Sequence, residues 1–522
     1  MRNFLSAALA ILPLAGFAAP WDLHAEDVGI RAPEGFEVSL YAGDDLAHDI
    51  YSMTIDSHGR VVVAGRGYVK ILHDTDDDGR ADKATLFSEF PKSGAHGMVF
   101  LGNDLIATGD NLLMRLSDKD ADGVADGKPI PLANVQSSEH GANGLVQGPD
   151  GWIYMICGND AGAGAQFART KTSPVKKPQA GAVVRFSPDF KTSEVFAHGF
   201  RNPYDLAFNE NGHLFTVDAD GERDQYLPWY APTRLFDIQQ GMHHGWVQRG
   251  WTRSWNRPEY FFDNVERLVE IGRGSPTGVE CYRHYAFPSH YRGGIYSCCW
   301  TLGTVYYFPL QRDGASYKSR KEIFLQTTGD VGFAPTDIAV GPDGEMYVSI
   351  GGRGTRGSVF CVRYVGQLKE AEKALVSEGE MEDVLNAPQP LAAWSRKTWM
   401  PLAEKLGELE FASVAGSRKR STEQRIRALE ILREQFGGLS LLMDRDLYVW
   451  PNQRVSSRAI WALEPVKGDE AAELEREVFL TFRNASFRDY GLGQEDDRAF
   501  WESIAMRPGA LHDSVLLLGF QA

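Results

Sequence analysis

Two acidic stretches constrain this chain most. HDTDDDGRAD, from His73 to Asp82, and SDKDADGVAD, from Ser117 to Asp126, both read D-x-D-x-D-G-x-x-D. Asp74, Asp76, Asp78, Gly79 and Asp82 map onto Asp118, Asp120, Asp122, Gly123 and Asp126, a shift of 44 residues. The same shift carries His96-Gly97 onto His140-Gly141. Two landmarks sharing one period make a structural repeat, and a repeat decides the fold before any local propensity does.

A second unit recurs around it: a glycine-bearing turn followed by a short β-rich run. It appears in DSHGRVVVAG, GPDGWIYMIC, NENGHLFTVD and GPDGEMYVSI, and more loosely at LGNDLIATGD and YRGGIYSCCW. Glycine supplies the backbone freedom of a tight turn, and the alternation after it suits a strand. Six such units between about residue 30 and residue 365 predict an all-β six-bladed propeller over residues 26–365. A pair of β-sandwiches is the structural alternative.

After Tyr364 glycine thins and helical periodicity takes over. In STEQRIRALEILREQFGG, Ser421 and Gln424 form a capping box, Ile426, Leu429, Leu432 and Phe436 share one face, and Gly437 stands at the C-terminal stop. VSSRAIWALEP predicts a further short helix. Residues 366–522 therefore read as an all-α, HEAT-like helical domain. The opening MRNFLSAALAILPLAGFAAP has one arginine, then an apolar run of about 15 residues and small residues. Residues 1–25 read as a signal peptide, with cleavage after Ala18 or Ala25, so a periplasmic or extracellular location is expected. Pro13 and the shortness of the run argue against a spanning helix, and no later segment is long and apolar enough, so the mature chain is expected to have no transmembrane segment.

The net charge of −16 argues against nucleic acid as a partner, since phosphates require a basic surface. It suits a protein that holds cations. Aspartates at alternate positions, with glycine at the bend, resemble the first half of an EF-hand loop. Asp74, Asp76, Asp78, Asp82, Asp118, Asp120, Asp122 and Asp126 are accordingly candidate Ca²⁺ ligands, in a structural role. There are five cysteines and no CxxCH or metal-spaced CxxC. Cys298 and Cys299 are adjacent and read as two packed thiols.

His140 stands ahead of a strand that would line the central channel. A shift of 61 residues carries Gly151 onto Gly212 and sets His140 opposite Arg201 in HGFRNPYDLAF. An imidazole and a guanidinium from neighbouring blades would meet at the channel mouth, where the first suits a general base and the second an oxyanion partner. Asn202 adds an amide beside them.

GFRNPYDLAF resembles the corresponding segment of soluble quinoprotein glucose dehydrogenases. EHGANGLVQGPDGWIY, LPWYAPTRLFDIQQGMHHGW, GSPTGVECYRHYAFPSHYRGGIY and GFAPTDIAVGPDGEMYVSIGGRGTRGSVF are more similar to a family labelled membrane-bound dehydrogenases, relatives of the L-sorbosone dehydrogenases, and LNAPQPLAAWSRKTWMPLAEKLG resembles its helical extension. The resemblance implies a pyrroloquinoline quinone (PQQ)- and Ca²⁺-dependent dehydrogenase acting on a sugar, alditol or sugar aldehyde and passing electrons to an external acceptor. His140 would be the general base, with Arg201 and Asn202 facing the cofactor and Arg353 and Arg356 meeting its carboxylates. The chain departs from the glucose dehydrogenases after DADG, where it reads ERDQYLPWYAPTR. Two other readings stand beside this one: a propeller lactonase or hydrolase, and a non-catalytic calcium-stabilised propeller binding glycan or protein, its helical domain serving as a partner surface.

Overall fold

The computed structural model describes residues 28–247, 264–330, 332–372, 378–439 and 452–463. The signal peptide expected over residues 1–25 lies outside the described residues.

Six antiparallel sheets of four or five strands surround one axis, confirming the six-bladed propeller. The innermost strands are Ser52–Ile55, Gly97–Leu101, Ala142–Gln147, Leu206–Phe208, Pro276–Cys281 and Pro335–Val340. They pack side to side into a closed ring. The last blade is completed by the chain's own start, since Phe36–Ala42 pairs with Ser358–Tyr364. That pairing ties the two ends of the propeller together in one blade and so closes the ring.

Each of the six glycine turns sits between the first and second strands of a blade. The β-rich run after each turn is therefore the second strand, and the channel-lining strand comes before it. In blade 3, Ala142–Gln147 pairs through the GPDG turn with Ile153–Cys157. Strands such as Val61–Gly65 and Ile153–Cys157 are buried at every position, because they pack on blades to either side. Apolar clusters between blades, among them Ile106, Leu145, Met155 and Val184, form the cores.

This connectivity gives the disc two faces. The loops entering first strands, and those joining second to third strands, lie on one face, called here the mouth. The glycine turns and the third-to-fourth-strand loops lie on the other, the floor, except that the long segment after Ile238 in blade 4 brings Trp246 back to the Arg201 guanidinium at the mouth.

Beyond the propeller, the described residues hold five α-helices: α1 (Glu380–Leu385), α2 (Ala393–Leu406), α3 (Glu408–Gly416), α4 (Thr422–Phe436) and α5 (Gln453–Leu463). In α4 the Ser421 side chain accepts from the Gln424 amide at 3.2 Å, and Gly437 ends the helix in the left-handed region, at φ 80°. Ile426, Leu429 and Leu432 are buried against Trp399, Phe411 and Ala459. Among the described residues no helix is long and apolar enough to cross a membrane.

The helices sit on the floor. Trp394 Nε1 donates to Val340 O at 3.0 Å, Arg396 to Gly148 O at 2.9 Å, Gln389 Nε2 to Cys281 O at 3.0 Å and Arg454 to Asn211 Oδ1 at 2.7 Å. These contacts reach four different blades.

Candidate functional site

His140 leaves a tight turn, in which the Gly141 amide donates to Ser138 O at 3.0 Å. The imidazole is nearly buried, at 6% exposure. Its Nδ1 lies 2.6 Å from Asn159 Oδ1. Asn159 follows the second strand of the same blade, and its Nδ2 donates to Asp160 Oδ1 at 3.4 Å, which turns the amide oxygen toward the ring. That oxygen can only accept, so it holds the proton on Nδ1 and places the lone pair of the neutral ring on Nε2.

The same asparagine reaches the next blade, its backbone amide donating to Arg201 O at 2.8 Å. Asp218, wholly buried, gathers the backbone of this corner. It accepts from Arg201 N at 2.9 Å, Asn202 N at 2.8 Å and Ala219 N at 3.0 Å. The Arg201 guanidinium is also buried; it stands 3.5 Å from Glu222 and 5.6 Å from the Trp246 ring centre. Gly158 makes the close approach feasible: a Cβ there would lie 2.5 Å from His140 O and 2.9 Å from Asn202 Oδ1. Asn202 Oδ1 is buried and has no hydrogen-bond partner, and a buried polar atom left so is costly unless something completes it. His140, Arg201 and Asn202 thus share one face and one backbone junction between blades 3 and 4.

Arg353 approaches from the opposite side of the ring. It lies in the loop between the second and third strands of blade 6, in the left-handed region at φ 59°, among glycines. Its guanidinium meets Glu139 Oε1 at 2.5 Å and lies 5.6 Å from the centre of the Trp300 ring. Glu139 is the residue before His140, so this exposed ion pair crosses the mouth. Arg356 turns elsewhere, donating to Gly332 O at 3.0 Å in the segment that leads into the first strand of blade 6.

Below the mouth the channel is obstructed. Tyr204 donates to Tyr51 O at 2.9 Å, and His96 stacks on Tyr204 and meets Tyr51 edge-on. Burial lowers the His96 pKa, favouring the neutral ring. Beneath them lies a cavity of about 130 Å³, walled in part by Asp205, Glu280 and Asp337 and closed by Gln389, Leu391 and Ala392. Asp205 accepts from Val279 N, and Asp337 from Met53 N, each at 2.8 Å, so each aspartate clasps the neighbouring blade. Burial raises all three carboxyl groups above their ordinary range.

The aspartate loops lie on the floor, between the third and fourth strands of blades 1 and 2. Asp74, Asp76 and Asp78 bring one oxygen each within 4.8 Å of one another, and so do Asp118, Asp120 and Asp126. Asp82 and Asp122 stand outside these groups. Asp82 Oδ2 accepts from the Thr75 hydroxyl, and Asp122 Oδ1 from Val124 N at 2.8 Å. The adjacent thiols of Cys298 and Cys299 are both buried and unbridged.

Glu139, Asn159, Asp218 and Trp246 contact these residues at the mouth without having stood out in the sequence. Asn159 had a signal: it follows the second strand of the hairpin whose first strand His140 precedes, so the two must lie side by side.

The family model described as "Domain of unknown function (DUF7133)" matches residues 27–349, more than half of the chain. The chain belongs to that family. No curated protein matches it. Among solved structures, a carbohydrate-active enzyme of Family AA12 from Trichoderma reesei is similar in its iodide structure, with 15% identity and a TM-score of 0.50, over 64% of this chain and 98% of that one. Its calcium structure gives 14% identity and a TM-score of 0.50, over 64% and 97%. The holo form of the pyranose dehydrogenase PQQ domain from Coprinopsis cinerea gives 14% identity and a TM-score of 0.48, over 64% and 97%. At this identity the Trichoderma structures establish a shared fold for the DUF7133 chain and nothing finer.

Proposed function

We propose that this DUF7133 protein is an exported quinoprotein dehydrogenase, oxidising a hydroxyl or hydrated aldehyde of a sugar or alditol at the mouth, with PQQ as cofactor and Ca²⁺ bound. The observation that carries the reading is the continuous junction His140–Asn159–Arg201, with the unsatisfied Asn202 oxygen beside it. It joins the motif resemblance of the RNP segment to a geometry suited to proton removal.

The residues present fit a flat anionic group. Arg201 and Arg353 supply cations from two sides of the mouth and Gly158 leaves close approach open, while the uncommitted Asn202 oxygen, an acceptor, would suit the Ca²⁺ beside the group and not its carboxylates. Arg356 belongs to the same loop as Arg353 and would join only by leaving Gly332 O. Bound there, the quinone would supply a two-electron acceptor for the substrate's hydride, with Ca²⁺ as Lewis acid. His140 Nε2 takes the hydroxyl proton as the carbon gives up its hydride, leaving a carbonyl product. Asn159 keeps the ring in the required tautomer and, through its amide, in register with Arg201. The Arg201 charge stabilises the developing alkoxide, and burial of both side chains keeps water from competing.

The aspartate groups on the floor are, in this proposal, structural Ca²⁺ sites. Asp74, Asp76 and Asp78 form one and Asp118, Asp120 and Asp126 the other, with Asp82 and Asp122 shaping the loops. The packing of α3 on α4 and α4 on α5 agrees with HEAT-like stacking, and the exposed side of those helices would take a protein partner.

Purified protein loaded with PQQ and Ca²⁺ should reduce a redox dye in the presence of an aldose or alditol. His140→Ala should then cost about 10²–10⁴-fold in kcat. One observation favours the non-catalytic reading: Arg201 and Arg353 each already face a glutamate. No quinone absorption on loading, and no dye reduction across a sugar panel, would establish that reading instead.

A further inference from the structure

One stretch of this acidic chain runs against its overall charge. From Ala161 to Pro188 it holds Arg169, Lys171, Lys176, Lys177 and Arg185 and no aspartate or glutamate, whereas the whole chain carries −16. The stretch starts in the loop between the second and third strands of blade 3, Ile153–Cys157 and Gly181–Phe186. That loop lies along the outermost strand of the blade, Ser193–Phe200: the amides of Arg169 and Val175 donate to Ser193 O and Val195 O, each at 3.1 Å. Thr170 and Thr172 pin its bend, donating to Glu194 Oε1 at 2.5 and 2.6 Å.

Arg169, Lys171, Lys176 and Lys177 are all exposed, and among the described residues none of the four forms an ion pair. Lys176 Nζ donates to Thr170 O at 2.6 Å and to Lys171 O at 2.8 Å, and Arg169 Nε to Gln166 O at 3.4 Å. Those acceptors are carbonyls and carry no counter-charge. The two Lys176 bonds also draw its ammonium against Lys171 and gather the charges on one bend, so their fields add whichever way each side chain swings. The carboxylates of the same blade edge are already matched: Glu194, buried, by Arg185 at 2.6 Å and Asp189 by Lys191 at 3.0 Å. Lysines guard open sheet edges against pairing, but here the loop's own backbone occupies the edge at Ser193 and Val195.

The bend is close to the site. Gly199 N donates to Gln179 O at 3.0 Å, joining a point two residues after Lys177 to a point two residues before Arg201. Backbone reach through that bond sets Lys177 and Arg201 no more than about 20 Å apart. A specific interface covers about 800 Å² on each partner, roughly 30 Å across, so a protein seated on the bend reaches the edge of the mouth.

Charge selects the partner. An acidic protein is repelled by the bulk of a −16 chain and attracted at this bend, which both steers and orients it. Among the described residues no large apolar side chain is exposed from Asn159 to Ala180, so the bend lacks what a loop seated in a bilayer inserts. In the dehydrogenase reading each substrate molecule loses two electrons and two protons. Two molecules of a one-electron carrier take the electrons and are reduced, and the protons pass to solvent.

We propose that the bend from Arg169 to Lys177 docks an acidic one-electron carrier protein at the blade 3 edge of the mouth. The carrier's redox role rests on the dehydrogenase reading; the binding of an acidic protein does not.

The test uses the full chain without cofactor and two soluble cytochromes c, one acidic and one basic, with binding read by microscale thermophoresis. The acidic one should bind at about 0.01 M salt and lose at least about ten-fold in affinity at about 0.15 M. Lys171→Glu with Lys177→Glu should weaken it about ten-fold at low salt without weakening the basic one, and Lys171→Arg with Lys177→Arg should leave both unchanged; circular dichroism checks the fold. In loaded protein the charge reversal should lower kcat/KM for the acidic cytochrome by a similar factor and leave turnover with a small dye unchanged. Dye turnover with an unaltered cytochrome kcat/KM would overturn the docking site and leave the dehydrogenase reading standing. Cytochrome binding that depends on these lysines, with no reduction of dye or cytochrome, would do the reverse. No binding of the acidic cytochrome at low salt, or binding of phosphatidylglycerol vesicles that the charge reversal abolishes, would also overturn the docking site.

Discussion

Glu280 offers a sharp test of how the channel is built, through Glu280→Gln. Its carboxylate lines the cavity and accepts from Cys281 N at 2.8 Å and Gln389 Nε2 at 3.3 Å. Burial pushes it up to about 8 from an ordinary 4.5; the nearby Asp205 charge adds to this, while the Cys281 amide, Arg283 and Gln389 oppose it. Between those two values the folded chain keeps a proton that the unfolded chain has released. Stability therefore falls as pH rises through the window and is fully reduced above it. Each pH unit is worth about 1.4 kcal/mol, so the ceiling is roughly 5 kcal/mol. The cavity has room for a few water molecules, and wetting cuts that to about 2–3 kcal/mol. Glutamine keeps an acceptor oxygen for both bonds and cannot ionise. Glu280→Gln should be close to neutral at pH 5 and raise stability by about 2–3 kcal/mol at pH 9, read from urea unfolding midpoints followed by tryptophan fluorescence. Asp205 and Asp337 face the same cavity, and the Glu280 charge helps to push Asp337 up, so relief of that repulsion in the variant acts in the same direction. A variant that is no more stable relative to the parent at pH 9 than at pH 5 would refute the reasoning.

Asn159→Ala removes the acceptor at His140 Nδ1; at roughly 1.5 kcal/mol for a bond to an imidazolium, kcat should fall about ten-fold, with a displaced pH–rate profile in loaded protein. Glu139→Gln releases Arg353 from an exposed pair worth at most about 1 kcal/mol. Free PQQ should then bind about two- to five-fold more tightly by absorption titration, and weaker binding would count against Arg353 as a carboxylate partner. Asp76→Ala with Asp120→Ala should reduce the number of Ca²⁺ ions bound in calorimetry, with sugar binding retained because those loops lie on the floor.

The ring was legible in the sequence because each blade repeats one mandatory element, a glycine turn where two strands reverse. What the turns left open was which side of each faces the axis. The runs after them, such as Ile153–Cys157, look most like channel strands because they are the most apolar, yet they are buried between blades. The true lining strands carry Glu280 and Asp337, with Asp205 just ahead of another, polar groups that obscure the alternation. The site divides in the same way. His140 and Arg201 emerged from the blade period, a local property. The Glu139–Arg353 pair, 214 residues apart in the chain, exists only once the ring closes. Arg353 and Arg356 are three residues apart in one glycine-rich loop and face different partners, which spacing alone could not separate.

The helical extension settles how the mouth must be used. A six-bladed ring offers an opening at each end, and either could admit a ligand. Here α2 and the segment before it seal one: Gln389 fills the floor of the cavity, and Trp394 and Arg396 bond to the ends of innermost strands in blades 6 and 3. Across the cavity the Tyr51–His96–Tyr204 group obstructs the other end from within. With both ends narrowed in this way, the dehydrogenase reading would bring substrate, cofactor and product together at the mouth. On that reading an electron acceptor would approach over the same face, and its access would compete with a sugar held there. Saturating trisaccharide should therefore slow reoxidation by a bulky protein acceptor more than by a small dye, and equal slowing would place the acceptor's route elsewhere.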